Sequence, residues 1–177
     1  MRKQKGFSLI ELLIVVAIIL IIAAIAIPNL MQSKRAANES AGAANMRTII
    51  SSEHTFNSLY FPTTGYFADT LGRLGTPAGG CVAPHPDQTN ACLLDVNLGC
   101  AAAPCTKDAY QYTVTAVGAY PTVTDYVAFA TPAGPTFAQK DYCVTSNGVV
   151  NLAPDATPPG AVVTTPLPCG TAPFAPL

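Results

Sequence analysis

The sequence predicts an α+β fold: a long N-terminal helix packed on a roughly four-stranded antiparallel sheet. Three observations carry that prediction. Residues 7–27 are apolar except for one hydroxyl and one carboxylate. Helical spacing of apolar residues resumes beyond Pro28 and continues to about Ser58. From Tyr110 onward, apolar and polar residues alternate with the period of a strand. The chain divides accordingly into a basic leader (1–6), a membrane-spanning helix (7–28), an amphipathic helix (29–58), a Cys-rich loop (59–108), an antiparallel sheet (109–152) and a Pro-rich tail (153–177).

The leader carries Arg2, Lys3 and Lys5 and no acid, so this end stays on the cytoplasmic side of a membrane. Phe7–Ile27 would span about 31 Å as a helix, against a hydrocarbon core of about 30 Å. A secretory signal peptide is the competing reading, with Ala24-Ile25-Ala26 as its cleavage site. The uninterrupted apolar run from Leu12 to Ile27 exceeds a usual signal core, and a signal core has no use for Glu11. A carboxylate kept at membrane depth is costly and points to a function. Pro28 lacks an N–H and clashes with the preceding turn, so it is expected to kink or interrupt the helix.

Beyond Pro28 small residues dominate: Ala36, Ala37, Ala41, Gly42, Ala43 and Ala44 permit close approach of a sheet or of neighbouring helices. Met46, Ile49, Ile50 and Phe56 then mark one helical face. Asn38-Glu39-Ser40 matches a minimal glycosylation sequon, but its mid-helix placement argues against use. Residues 59–108 show little periodicity and much Gly and Pro; a loop of that length needs a function or staples. Strands are expected at Tyr110–Ala116, Thr124–Ala130, Asp141–Thr145 and Val149–Leu152, with a hairpin at Ser146-Asn147-Gly148. The tail holds seven prolines in 25 residues and is expected to lie extended on the surface rather than in a central strand.

Six cysteines, at 81, 92, 100, 105, 143 and 169, follow a membrane-targeting stretch. That pattern reads as up to three disulfides formed in an oxidising compartment, with 15 possible connectivities. Cys81–Cys92 and Cys100–Cys105 rest on proximity alone. A metal site built from Cys81, His85 and Cys92, joined by Cys100 or Cys105, is the alternative, without a C-x-x-C to support it. No metal and no cofactor is expected. A P-loop, a G-x-G-x-x-G, a haem C-x-x-C-H and a supported Ser/His/Asp set are all missing, so the chain is not read as an enzyme. Nor does a basic patch occur after residue 47, so no direct nucleic-acid binding is expected.

Gly6-Phe7-Ser8-Leu9-Ile10-Glu11, behind a basic leader and ahead of a long apolar run, resembles the N-terminal signature of type IV pilins and their pseudopilin relatives. The resemblance covers about the first 60 residues and implies the type IV pilin-like version of the α+β fold. It implies cleavage between Gly6 and Phe7 by a prepilin peptidase and N-methylation of the Phe7 amine. It implies assembly into a helical filament by an inner-membrane platform with its ATPase, Glu11 of one subunit neutralising the Phe7 amine of a neighbour. The precursor would then sit in the inner membrane and the product on the cell surface. Cys143–Cys169 matches the family's C-terminal disulfide, and Phe61-Pro62-Thr63-Thr64-Gly65-Tyr66 looks like its turn after the helix. Many members carry a glycine where this chain has Leu20, so Leu20–Pro28 is expected to stay helical in a filament. Loss of the leader would take Lys plus Arg from 9 to 6 against 10 acids, a balance of −4. The alternative within the family is a pseudopilin of type II secretion or a minor pilin. Only Asp141 and Asp155 occur after residue 125, too few for the acidic calcium loop of major pseudopilins. A Cys-rich domain merely exported or anchored by the helix is the reading from another class.

Overall fold

The computed structural model describes residues 7–77, 80–81, 87–154, 169 and 175–177. Its elements are α1 (Leu9–Tyr60), α2 (Leu71–Leu74), β1 (Cys105–Lys107), β2 (Tyr110–Val117), β3 (Asp125–Pro132), β4 (Lys140–Thr145), β5 (Asn151–Pro154) and β6 (Ala175–Pro176). Packing divides the chain into two units, Met1–Lys34 and Arg35–Leu177. The basic leader, with Gly6, and His85 lie outside the described residues.

In the first unit, α1 runs through Pro28 without interruption. Of the two outcomes expected at that proline, interruption is not what is found. The missing N–H leaves one carbonyl, that of Ala24, without its helical donor, and long helical stretches on both sides hold the element together. The 18-residue window of highest mean hydropathy, 3.3, is wholly unburied.

In the second unit, α1 buries one stripe: Gly42, Ala43, Asn45, Met46, Ile49, Ser52, Glu53 and Phe56. The spacing of three and four residues places them on one face. They cover an antiparallel sheet whose strands follow in chain order, β1-β2-β3-β4-β5-β6. The expected sheet of about four strands is therefore extended at both edges. β1 lies in the stretch read as loop, which also holds α2. β6 comes from the tail and pairs with β5 through Asn151↔Pro176 and Leu152↔Ala175. Two- and three-residue strands leave no periodicity to read, which is why they escaped the sequence pattern. The prolines of β5 and β6 sit at the sheet edge, where a missing N–H is tolerated.

Register puts Tyr110, Tyr112, Tyr126, Ala128, Ala130, Tyr142 and Val144 on the helix-facing side, and all are buried. The other side is not simply solvated, as strict alternation would have it. Thr113, Phe129, Thr131, Asp141, Cys143 and Asn151 share it and are buried as well. The Cys143–Cys169 disulfide joins the tail to this side, and Asn151 Nδ2 donates to Cys169 Sγ at 3.4 Å. Gly42 explains the close approach of helix and sheet: a Cβ there would lie 2.8 Å from the Tyr110 ring.

Candidate functional site

The chemistry of the N-terminal segment is concentrated in its first turn. Phe7 is 82% exposed. Ser8 occupies the position before the first helical residue, and its backbone N–H donates to Glu11 Oε2 at 2.9 Å. That is the return half of a capping box, in which the third helical residue satisfies an N–H the helix cannot. The spacing Ser-x-x-Glu announced it in the sequence, but the apolar surroundings drew attention to the charge of Glu11 rather than to its capping geometry. A carboxylate has two oxygens, so one engaged by Ser8 leaves the other for a second donor. After this turn every large hydrophobic from Leu9 to Met31 is exposed. An isolated soluble protein does not display such a surface, so it requires a lipid or protein partner.

The head unit satisfies its loops with side chains from α1. Asn45 Nδ2 donates to Tyr112 Oη and to Asp108 Oδ2, both at 2.9 Å. Asn57 Nδ2 donates to the Tyr66 carbonyl at 2.9 Å, within the turn read as Phe61–Tyr66. Ser52 Oγ donates to the Leu93 carbonyl. Glu53, wholly buried, accepts the Ala68 N–H on Oε2 at 3.0 Å. Burial pushes its carboxyl up to about 8; the Ala68 N–H offsets part of that, and the Asp69 charge adds to it. No periodicity argument singled out Glu53, because its partner is the backbone of a loop. Asn38, the sequon residue, donates its Nδ2 to the Phe137 carbonyl at 2.8 Å. The amide nitrogen that a glycan would need is thus engaged.

All six cysteines are paired: Cys81–Cys92, Cys100–Cys105 and Cys143–Cys169. The first two staple the stretch between α1 and the sheet. Arg73 adds a third tie there, paired with Asp69 and lying 3.5 Å over the Tyr120 ring. Among the described residues no group of three His, Cys, Asp or Glu side chains is placed to hold a metal. Two surface depressions, of about 400 and 380 Å³, flank Arg47 and Ser51 on α1. Hydroxyls, aliphatic groups and the Arg47 side chain line them, and no Asp, Glu or His side chain is among their lining residues.

The fold and the first turn of α1 together define a class: an α+β head and an N-terminal apolar helical stretch, residues 9–28, whose only acid, Glu11, lies in its first turn. Residues 1–27 match the family described as the prokaryotic N-terminal methylation motif. Over 81 residues the chain is 40% identical to the type IV wide pilus major component PilA4 of Thermus thermophilus, a match covering 44% of this chain and 61% of that protein. Over 56 residues it is 43% identical to the type IV major pilin protein PilA of Myxococcus xanthus, covering 32% and 26%. The chain thus spans less than two thirds of the length of either relative. No solved structure matches it. The chain thus carries the N-terminal methylation motif and is similar over part of its length to two type IV major pilins; its α+β architecture is the one its sequence predicted.

Proposed function

We propose that the chain is a structural subunit of a type IV pilus rather than an enzyme. The observation that carries this reading is the first turn of α1: a lone carboxylate, Glu11, at the head of the apolar stretch from Leu9 to Met31, whose large hydrophobics are all exposed. In this reading a prepilin peptidase cleaves between Gly6 and Phe7, and the new Phe7 amine is methylated. A platform with its ATPase then moves the subunit from the inner membrane into an extracellular filament. Glu11, capped on one oxygen by Ser8, receives the amine of a neighbour's Phe7. Two opposite charges in a low-dielectric core attract far more strongly than in water, and an unpaired one costs several kcal/mol. Only registers that pair every Glu11 are then populated. The small residues around Gly42 and the disulfide-stapled head complete a subunit whose helix seeks partners while its head faces water.

The test combines electron microscopy of sheared surface filaments with mass spectrometry of their main subunit. Filaments built of a chain that begins at methylated Phe7 support the proposal. A chain beginning near Ile27, or retaining Met1, refutes it. A mature chain confined to the membrane, without filaments, moves the reading to a pseudopilin or minor subunit. Replacing Gly6 by a bulky residue should leave the precursor uncleaved on the same spectra.

A further inference from the structure

The β3–β4 connection, residues 133–139, is fastened to the first turns of the head's helical stretch. Arg35 Nε donates to the Thr136 carbonyl at 3.2 Å and Asn38 Nδ2 to the Phe137 carbonyl at 2.8 Å. The Gln139 N–H donates to Glu39 Oε1 at 3.3 Å, and Lys140 Nζ lies 2.8 Å from Glu39 Oε2. Three α1 residues at helical spacing thus hold three positions of one loop, Thr136, Phe137 and Gln139. The loop itself, Ala133-Gly134-Pro135-Thr136-Phe137-Ala138-Gln139, has no charge. Pro135, Thr136 and Phe137 are exposed, Phe137 by 42%. Its ring rests over Gly134, where a Cβ would stand 3.2 Å away. Glu39 is paired with Lys140, and Arg35 has no acidic partner among the described residues.

Within α1, Arg35 follows Met31, the last large hydrophobic of the N-terminal exposed run, by one turn, about 6 Å. The headgroup layer beyond the hydrocarbon core is about 5–8 Å thick on each side. The opposite end of the sheet is placed differently. There the β2–β3 turn meets the far part of the helix: Val123 accepts the Phe67 N–H, and Phe67 packs on His54. We propose that, before assembly, the β3–β4 loop rests on the bilayer, with Phe137 among the lipid headgroups and Arg35 toward their phosphates. An apolar tip beside a basic residue is the chemistry that anionic lipid surfaces attract. The loop sets how the head stands on the membrane, and it must leave lipid when the subunit joins a filament. The proposal rests on the membrane reading of the apolar helix.

The chain contains no tryptophan, so a single one reports its own position. Phe137→Trp is made in the full chain and reconstituted in phosphatidylethanolamine and phosphatidylglycerol vesicles whose acyl chains are brominated near the headgroup, with a parallel set brominated at mid-chain against which Ile18→Trp is read. Val117→Trp, exposed at the other end of the sheet, and Ile18→Trp, within the apolar run, are the references. The expected result is blue-shifted, quenched emission from Phe137→Trp and unquenched emission from Val117→Trp. Thr136→Trp repeats the test at a position whose side chain does not pack on Gly134. Quenching of Ile18→Trp alone, with both loop positions as unquenched as Val117→Trp, overturns the loop proposal and leaves the membrane reading standing. No quenching at Ile18→Trp overturns both. Shielding of Phe137→Trp only in assembled filaments assigns the loop to a neighbouring subunit and overturns the lipid contact.

Discussion

The two units of this chain share one 52-residue helix and use it in opposite ways. Up to Lys34 the helix buries nothing, and its stability in water would have to come from backbone propensity alone. From Arg35 onward it buries a stripe from Gly42 to Phe56 against a sheet of tyrosines. The first unit is therefore completed by something outside the chain, and the second by the chain itself. The comparison teaches that a polar group means different things in each. In the head, buried Asn45 and Ser52 are matched by partners from loops and sheet, and buried Glu53 is matched on Oε2, its Oε1 having no partner among the described residues. In the apolar unit Glu11 has a local cap and, in the proposed filament, a partner that only another subunit supplies.

The sharpest way to break this contrast is Glu11→Val. It should leave membrane insertion intact and abolish filaments, read as subunit in the membrane fraction against subunit in the sheared fraction. Normal filaments from this variant would sink the pairing argument. Next comes the head's own closure. Cys143→Ser with Cys169→Ser opens a loop of sequence separation 26 and should lower head stability by roughly 3–4 kcal/mol. Thermal unfolding of the head should show it, with insertion of the apolar helix unchanged. A smaller effect is expected from Gly42→Ala. Alanine favours the helix by about 1 kcal/mol, but its Cβ meets the Tyr110 ring, and overpacking costs about 1–3 kcal/mol. A net loss of stability in denaturant titration is the expected outcome; a gain would show that the ring yields freely.

The gentlest probe is Glu53→Gln, whose effect lies in the pH profile. In the folded head the Glu53 carboxyl is raised from 4.5 to about 8. Between those values the native state holds a proton that the unfolded chain has released. Stability should therefore fall as pH rises through that window and be greatest below it. Glutamine keeps an oxygen for the Ala68 N–H and removes the titration, so the variant should lose most of this slope while changing little in mild acid. An unchanged slope in melting temperature against pH would assign the dependence to other groups.

Much of the molecule was legible from local pattern. The apolar run, the helical stripe of Met46, Ile49 and Phe56 and the alternation through Tyr110 and Tyr112 each state a solvent on one side and a core on the other. The two hairpins show where such legibility stops. Asn147-Gly148 marks a turn correctly, but β4 and β5 are joined by residues 146–150, with only Gly148 at positive φ, at 75°. β1 and β2 are joined by two residues, Asp108 and Ala109, both at positive φ. Alanine resists that conformation, so nothing local announced the turn. It is held where Asn45 of α1 donates to Asp108 Oδ2.

By itself the sequence determined the elements whose hydrophobic period is long enough to outweigh local alternatives. It also set the chemistry of the first turn, where Ser8, Glu11 and their spacing suffice. Only the tertiary structure decided the short edge strands, the Asp108-Ala109 turn and the partners of Glu53 and Asn38. Each of those depends on a contact between residues far apart in the chain. The free energy of such a contact exists only once the helix and sheet have brought both partners together.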